Sequence, residues 1–300
     1  MAIVSQLDTT QPAATTVSRR AMGERLRRPT GSALRHALLI VLSAAFILPF
    51  LWMISTSLKS NEQIVAWPPT WIPNPIQWTN YADALEDVPF LRYTWNTAVI
   101  SVLTIAGSLI SNTLVAYGFS RLEWPGRDVV FVGVLASMML PFQVTMIPLF
   151  IVFSKLGWTN SILPLTVPYF FGQAFYIFLL RQFFNGIPRD YTDAARLEGA
   201  SELQILRQII VPLARPVLIT VALFQFLFSW RDFLGPLLYL NDEAKWTLSL
   251  GLANMQSALG LSQFGQIMAV ATMIVVPVLL AFLIAQRFFI QGIATSGIKG

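Results

Sequence analysis

Few residues in this 300-residue chain are placed to do covalent chemistry. It contains no cysteine, so neither a disulfide framework nor a thiolate site for metal or redox work is available. His36 is the one histidine and stands at the edge of an apolar stretch, where an interfacial role suits it better than acid–base catalysis. An enzyme would need a nucleophile, a base or a metal cluster, and the sequence leads us to expect no catalytic residue, no metal ligand and no enzyme activity in this chain. No Gly-x-x-x-x-Gly-Lys-Ser/Thr phosphate loop occurs. Work drawn from ATP would have to come through another chain.

Binding chemistry is better represented. Asn112, Gln143, Gln173, Tyr176, Gln225 and Trp230 lie within apolar stretches, where they offer hydrogen bonds and aromatic stacking and are candidates to line a substrate path. Such residues also serve to bond one helix to the next, and both uses stay open. Away from their ends, five of the six apolar stretches carry no ionisable group; the exception is Arg231-Asp232. Ion-coupled carriers keep such groups inside their spans, so an ion-coupled carrier is the weaker alternative, and a membrane enzyme weaker still. Asp232 either pairs with Arg231 near the mouth of its span, the preferred reading, or contributes to a translocation path.

The elements that must position these residues follow from composition. At 55% hydrophobic and 12% charged, with a mean hydropathy of +0.62, the chain has too little polar surface to cover a soluble globule of its size. Stretches long enough to cross a bilayer, roughly 20 residues each, fall at about 37–58, 97–118, 129–152, 161–180, 214–238 and 267–289. The first follows an arginine-rich segment but is too long for the core of a signal peptide, so it reads as an uncleaved span. With both termini on one side, the segments on that side hold fifteen Lys and Arg residues and the opposite segments five. Positive loops stay in the cytoplasm, so both ends are expected there. The net charge of +5 therefore reports topology, not nucleic-acid binding. The resulting division is a tail over 1–36, a six-span domain over 37–289 and a second tail over 290–300. Pro141, Pro148, Pro164, Pro168 and Pro277 are expected to kink or break spans. The segment 59–96, rich in Trp67, Pro68, Pro69, Trp71, Pro73, Pro75 and Trp78, suits an ordered cap at the membrane surface, anchoring there or docking a partner.

Between the fourth and fifth stretches, residues 188–213 have too much pattern for a connector. Pro188 and Asp190 open a helix whose first turn Asp193 makes more acidic. Gly199 ends it, and Ser201 with Gln204 forms a capping box for a second helix that Pro212 closes. Leu203, Leu206, Ile209 and Ile210 fall on one face of that helix. Small residues at Ala194, Ala195, Gly199 and Ala200 permit close approach of another backbone, and Asp193 and Glu198, flanked by Arg189 and Arg196, supply charged hydrogen bonds to orient it. The segment suits a socket on a partner or an amphipathic helix lying on the membrane.

The spacing Asp193-Ala194-Ala195, three residues, Gly199, nine residues, Ile209, two residues, Pro212 resembles the EAA loop of ABC-importer permeases. Asp193 stands where that family commonly has Glu, Glu198 where it often has Asp, and Arg231 where Asn is common. Leu140-Pro141-Phe142-Gln143-Val144, Ile147-Pro148-Leu149-Phe150, Leu156-Gly157-Trp158-Thr159-Asn160 and the ending Gln291–Gly300 are similar to the carbohydrate-uptake, maltose-type branch. The resemblance implies an all-α membrane protein of the type I importer permease fold, in which residues 193–200 form the coupling helix. It further implies a second homologous permease, two ATP-binding subunits that hydrolyse ATP with Mg, and an extracytoplasmic sugar-binding protein. This chain would itself bind no cofactor. Its place would be the plasma or inner membrane, in contact with the lipid bilayer, and its C-terminal residues would reach toward the ATPase pair.

Overall fold

The structure, a computed structural model, describes residues 28–260 and 262–296. The chain divides after Trp52 into two units. Nearly all of the first described unit is apolar helix: α1, Arg28–Ser57, begins nine residues before the expected first span and carries Pro49 inside it. Its side chains from Leu34 to Leu51 are mostly exposed, as suits a helix whose surroundings are hydrocarbon. The expected N-terminal tail lies largely outside the described residues.

The second unit is built on α4, Phe90–Arg121, which at a rise of roughly 1.5 Å per residue extends about 48 Å. The short helices α2 (Asn61–Val65) and α3 (Thr79–Asp87) precede it and make an ordered segment. Asn80 Nδ2 donates to the carbonyls of Ser57 and Lys59, both at 2.9 Å, and the hydroxyls of Ser57 and Tyr81 meet at 2.8 Å. Trp67 remains 88% exposed there.

After α4 come α5 (Arg127–Ser137) and α6 (Phe142–Lys155), α7 (Leu163–Thr166) leading into a 3-10 turn over Val167–Phe171, and α8 (Ala174–Asn185). Next are α9 (Asp190–Leu197), α10 (Glu202–Leu213), α11 (Arg215–Trp230), α12 (Leu234–Tyr239), α13 (Leu248–Leu259) and α14 (Phe264–Ser296). Among the described residues, four stretches are apolar and long enough to cross a membrane, and the number reaches six if each of two bent helix pairs counts as one span. The expected span 129–152 is one of these pairs: α5 and α6 meet at 97°. Pro141, with ψ 144° and no N–H to donate, ends any helical continuation there. Pro148 and Pro277 sit inside helices that run on past them, and Pro164 and Pro168 occupy first-turn positions, where a missing N–H costs nothing. Helix α14 continues to Ser296, through most of the segment read as a C-terminal tail.

Helix α4 organises the core through small polar residues. Thr97, Ser101, Thr104, Ser108 and Ser111, spaced three or four apart, are all buried. Small side chains let neighbouring backbones approach: a Cβ on Gly107 would come within 2.7 Å of the Phe170 ring. The hydroxyls bond across elements, Ser229 Oγ to Ser101 Oγ at 3.0 Å and the Leu248 N–H to Thr97 Oγ1 at 2.9 Å. Asn112, fully buried, spans the break before α8. Its Nδ2 donates to the Ser108 carbonyl at 2.6 Å and to Gln173 Oε1 at 2.7 Å, and its Oδ1 accepts the Gln173 N–H at 2.7 Å. At the start of α4, Tyr93 donates to Glu243 at 3.0 Å, and Asn96 donates to the carbonyls of Ala244 and Trp246.

Replacing Asn112 by Leu should strand the Gln173 amide and weaken the link between α4 and α8. With each stranded group costing about 1–3 kcal/mol, the detergent-solubilised variant is expected to unfold at clearly lower temperature than the parent. Gln143→Leu, at an exposed position, should leave the melting temperature unchanged.

Candidate functional site

The segment 188–213 folds as helix, hinge, helix. Helix α9 has Asp190 and Asp193 in its first turn and Arg196 in its last, each complementing the helix dipole. Gly199 takes φ +84°, the left-handed conformation that stops the helix. The Ser201 side chain then accepts the Gln204 N–H while Gln204 Oε1 accepts the Ser201 N–H at 2.7 Å, completing the expected capping box.

Helix α10 departs from expectation at its centre, where Leu206–Ile210 form a turn of π-helix. The wider turn shifts the register: Ile205, Leu206 and Ile210 are buried, while Leu203 is exposed and Ile209 half-buried. The four residues expected on one face therefore do not share one environment, and Ile205, outside that set, is buried. The helix ends one residue past Pro212, and the chain turns 81° into α11.

A charged network fixes this segment to α4. Tyr117 donates to Glu202 Oε2, and Glu202 Oε1 pairs with Arg196 Nε at 2.8 Å. Arg196 Nη1 also pairs with Asp193 Oδ1 at 2.8 Å. One turn further along α4, Arg121 is buried and donates to the carbonyls of Phe184 and Ile187, at the end of α8. The Phe184 carbonyl also accepts the Ile187 N–H at 3.1 Å, so Arg121 adds a charged donor to a turn the backbone already closes. Arg189 pairs with Glu123 at 3.2 Å, and Arg181 lies 3.5 Å from Asp128 and 3.9 Å from the centre of the Phe131 ring. Arginines counted to one side of the membrane on charge alone thus gather at one end of the bundle.

The small residues divide into two sets. Ala195 and Ala200 pack inward against the core of Ala116, Tyr117, Phe184 and Ile205. Ala194 and Gly199 face outward, with Asp193 and Glu198. Two exposed apolar side chains join them that sequence reasoning missed: Tyr191, and Leu197 at 91% exposure. Their signal was present, since Tyr191, Ala194 and Leu197 recur every three residues along one helix side. Asp193 already has a partner in Arg196, whereas Glu198 has no ion pair among the described residues.

The polar residues named for a substrate path do not form one cluster, although Tyr176, Gln225 and Asp232 all approach Tyr169. Asn112 and Gln173 bond each other and pack helices together. Tyr176 is buried in the core beside α4, and Trp230, also buried, donates to the Ile274 carbonyl at 3.1 Å. Gln143 is exposed. Gln225 is buried, its Nε2 lacking a hydrogen-bond partner among the described residues. Asp232 is half-buried beside a cavity of about 360 Å³. The preferred pairing with Arg231 is not found among the described residues; the Asp232 carboxylate instead accepts the Gly235 N–H at 3.1 Å and so caps α12. Local capping wins because the chain turns at residues 231–233, carrying Arg231 outward while Asp232 folds back over the next helix.

A bundle of apolar helices with a charged helix–turn–helix braced against a long central helix is the architecture of a polytopic membrane protein. Residues 114–295 match the family of binding-protein-dependent transport system inner membrane components, and the chain belongs to that family. It is 33% identical over 258 residues to the diacetylchitobiose uptake system permease protein NgcG of Streptomyces coelicolor, covering 85% of each chain. It is 34% identical over 212 residues to the arabinooligosaccharides transport system permease protein AraQ of Halalkalibacterium halodurans, covering 70% of this chain and 75% of that one. Among solved structures it is similar to a bacterial ABC transporter involved in the import of the acidic polysaccharide alginate, with TM-score 0.76, 25% identity and coverage of 91% of this chain and 98% of the other. The chain is therefore a multi-pass permease subunit of an ABC importer in the inner membrane, working with ATPase and binding-protein components.

Arg196, and after it Tyr117, hold the Glu202 carboxyl below the usual carboxylate range. A lowered folded-state value means that its stabilisation is full above the unfolded pKa, about 4.3, and is lost as pH falls through the folded one. The difference in melting temperature between the parent and Glu202→Gln should stay constant from about pH 8 to 5 and shrink only in the acid range below the unfolded value.

Proposed function

We propose that this chain is one of two homologous permease subunits of an importer for a sugar or sugar derivative. Two ATP-binding subunits, which hydrolyse ATP with Mg, engage it at the cytoplasmic face, and an extracytoplasmic binding protein delivers the cargo. The observation that carries the reading is the outward face of α9: Tyr191, Ala194, Leu197 and Glu198 stand free on a helix whose other side is tied to α4. A solvated surface helix gains nothing by exposing Leu197, but a socket on a partner would bury it. Asp193, Ala194, Ala195, Glu198, Gly199 and Ala200 are the coupling residues on this reading, with Ala195 and Ala200 supporting the helix from behind.

Closure of the ATPases displaces α9, and the Tyr117–Glu202–Arg196 network carries the displacement to α4 and on toward the Glu243–Trp246 turn. The arginine-rich end of the bundle supports a cytoplasmic placement of this loop and of both chain ends. The sugar reading rests on the relatives, whose transported compounds are saccharides. The division into a tail over 1–36, a six-span domain over 37–289 and a tail over 290–300 is retained as a description of membrane topology, with helical structure running into both tails.

The native chain has no cysteine, so a single Ala194→Cys introduces one reactive thiol on the exposed face. In the assembled importer this thiol should crosslink to a cysteine in the ATPase cleft, with a yield that changes between ATP-bound and nucleotide-free states. If no cleft position reacts in either state, the coupling assignment is wrong. A second expectation concerns Gly199→Ala. Open space surrounds the added methyl, so only the left-handed backbone resists it, at about 1–2 kcal/mol. Substrate-stimulated ATPase activity should fall severalfold while the protein still assembles in the membrane.

A further inference from the structure

The half-buried Asp232 lies where three breaks in helical structure come together. One is the bend at Pro141 between α5 and α6, one is the 3-10 turn and Gly172 ahead of α8, and one is the turn at 231–233 between α11 and α12. Irregular backbone at membrane depth is tolerated only where it is buried in protein or lines a cavity, and here the breaks border the cavity of about 360 Å³. That volume is at the small end of the roughly 300–1,000 Å³ of small-molecule sites.

The walls of this cavity are aromatic. Phe142 and Phe153 come from α6, Tyr169 from the 3-10 turn, Phe228 from α11 and Tyr239 from α12. The rings of Tyr169 and Phe228 have centroids 6.2 Å apart, and Phe153 meets Tyr239 edge to face at 5.6 Å. Among the described residues the one charged lining group is Asp232; no Lys or Arg lines the cavity, and the neighbouring Arg231 is exposed.

We infer that this cavity is a subsite, in the chain's own wall, for one uncharged pyranose ring. Sugar rings carry C–H faces that lie against aromatic rings, and hydroxyls that donate to a carboxylate. A uronate beside it would bring a negative charge into apolar surroundings where no lining cation pairs with it. The permease thus adds its own selection against acidic saccharides to whatever the external binding protein applies. In this it would differ from the alginate importer that it resembles in fold, whose cargo is acidic. The inference rests on the importer reading above, since the subsite would be a station on that route.

The test uses the assembled importer in lipid nanodiscs and saturation-transfer NMR, with maltose and diacetylchitobiose as neutral probes and digalacturonate as the acidic one. The neutral sugars should receive saturation at their ring C–H protons and digalacturonate should not. Phe228→Ala should lower the neutral signal roughly fivefold, the scale of one lost aromatic contact. Phe228 is 47% exposed, so its truncation leaves no buried void. Asp232→Asn, which keeps a capping oxygen, should admit digalacturonate. Absence of any signal, equal signals from acidic and neutral probes in the parent, or a signal indifferent to Phe228→Ala would overturn the subsite. ATP-dependent uptake measured on the same parent complex keeps the two claims apart: uptake with an indifferent Phe228→Ala sinks only the subsite, whereas no uptake of any saccharide sinks the importer reading.

Discussion

The arrangement depends on one contact chain, from Tyr117 of α4 through Glu202 to Arg196 and Asp193 of α9. Without it, an eight-residue helix would be a marginal structure on a surface loop. With it, the helix is held to a 32-residue rod that reaches the opposite end of the bundle. Individual surface ion pairs contribute little. This set gains from being a network in which each carboxylate oxygen of Glu202 has its own donor, and from being reinforced by the buried Arg121, whose guanidinium donates to the carbonyls of Phe184 and Ile187 after α8.

The same economy of polar groups runs along α4. In surroundings as apolar as a bilayer, association of helices gains little from hydrophobic burial, so close packing and internal hydrogen bonds must hold the bundle together. The buried stripe from Thr97 to Ser111, the Gly107–Phe170 contact and the Asn112–Gln173 pair supply both. The breaks that this packing leaves in its neighbours are not faults. They border the aromatic cavity proposed above as a sugar subsite.

Local patterns were legible in the sequence because their causes are local. The apolar stretches, the stop at Gly199 and the Ser201–Gln204 box each depend on a few adjacent residues, and each is present in the structure. The π-turn at Leu206–Ile210 was not legible, because nothing in Leu-Arg-Gln-Ile-Ile distinguishes it from ordinary helix, and so Leu203 and Ile209 were grouped on one face with the buried Leu206 and Ile210 while Ile205 was left out. Long-range pairings were likewise hidden: Glu202 finds Tyr117 across 85 positions of sequence. For the same reason Asn112 and Gln173 could be named as polar residues in spans but not recognised as partners. The Arg231–Asp232 pairing failed for a geometric reason, since adjacency in sequence does not align two side chains when the backbone turns between them.

The central claim is that α9 and α4 move as one rigid piece when a partner subunit acts on the loop. Spin labels at Ala194 on α9 and Leu114 on the exposed side of α4, placed in the assembled importer, give this distance directly by pulsed electron resonance. The account predicts one narrow distance distribution that is the same in nucleotide-free, ATP-bound and ADP-bound states, even as distances to the partner permease change. A distance between Ala194 and Leu114 that shifts or broadens with nucleotide would contradict it.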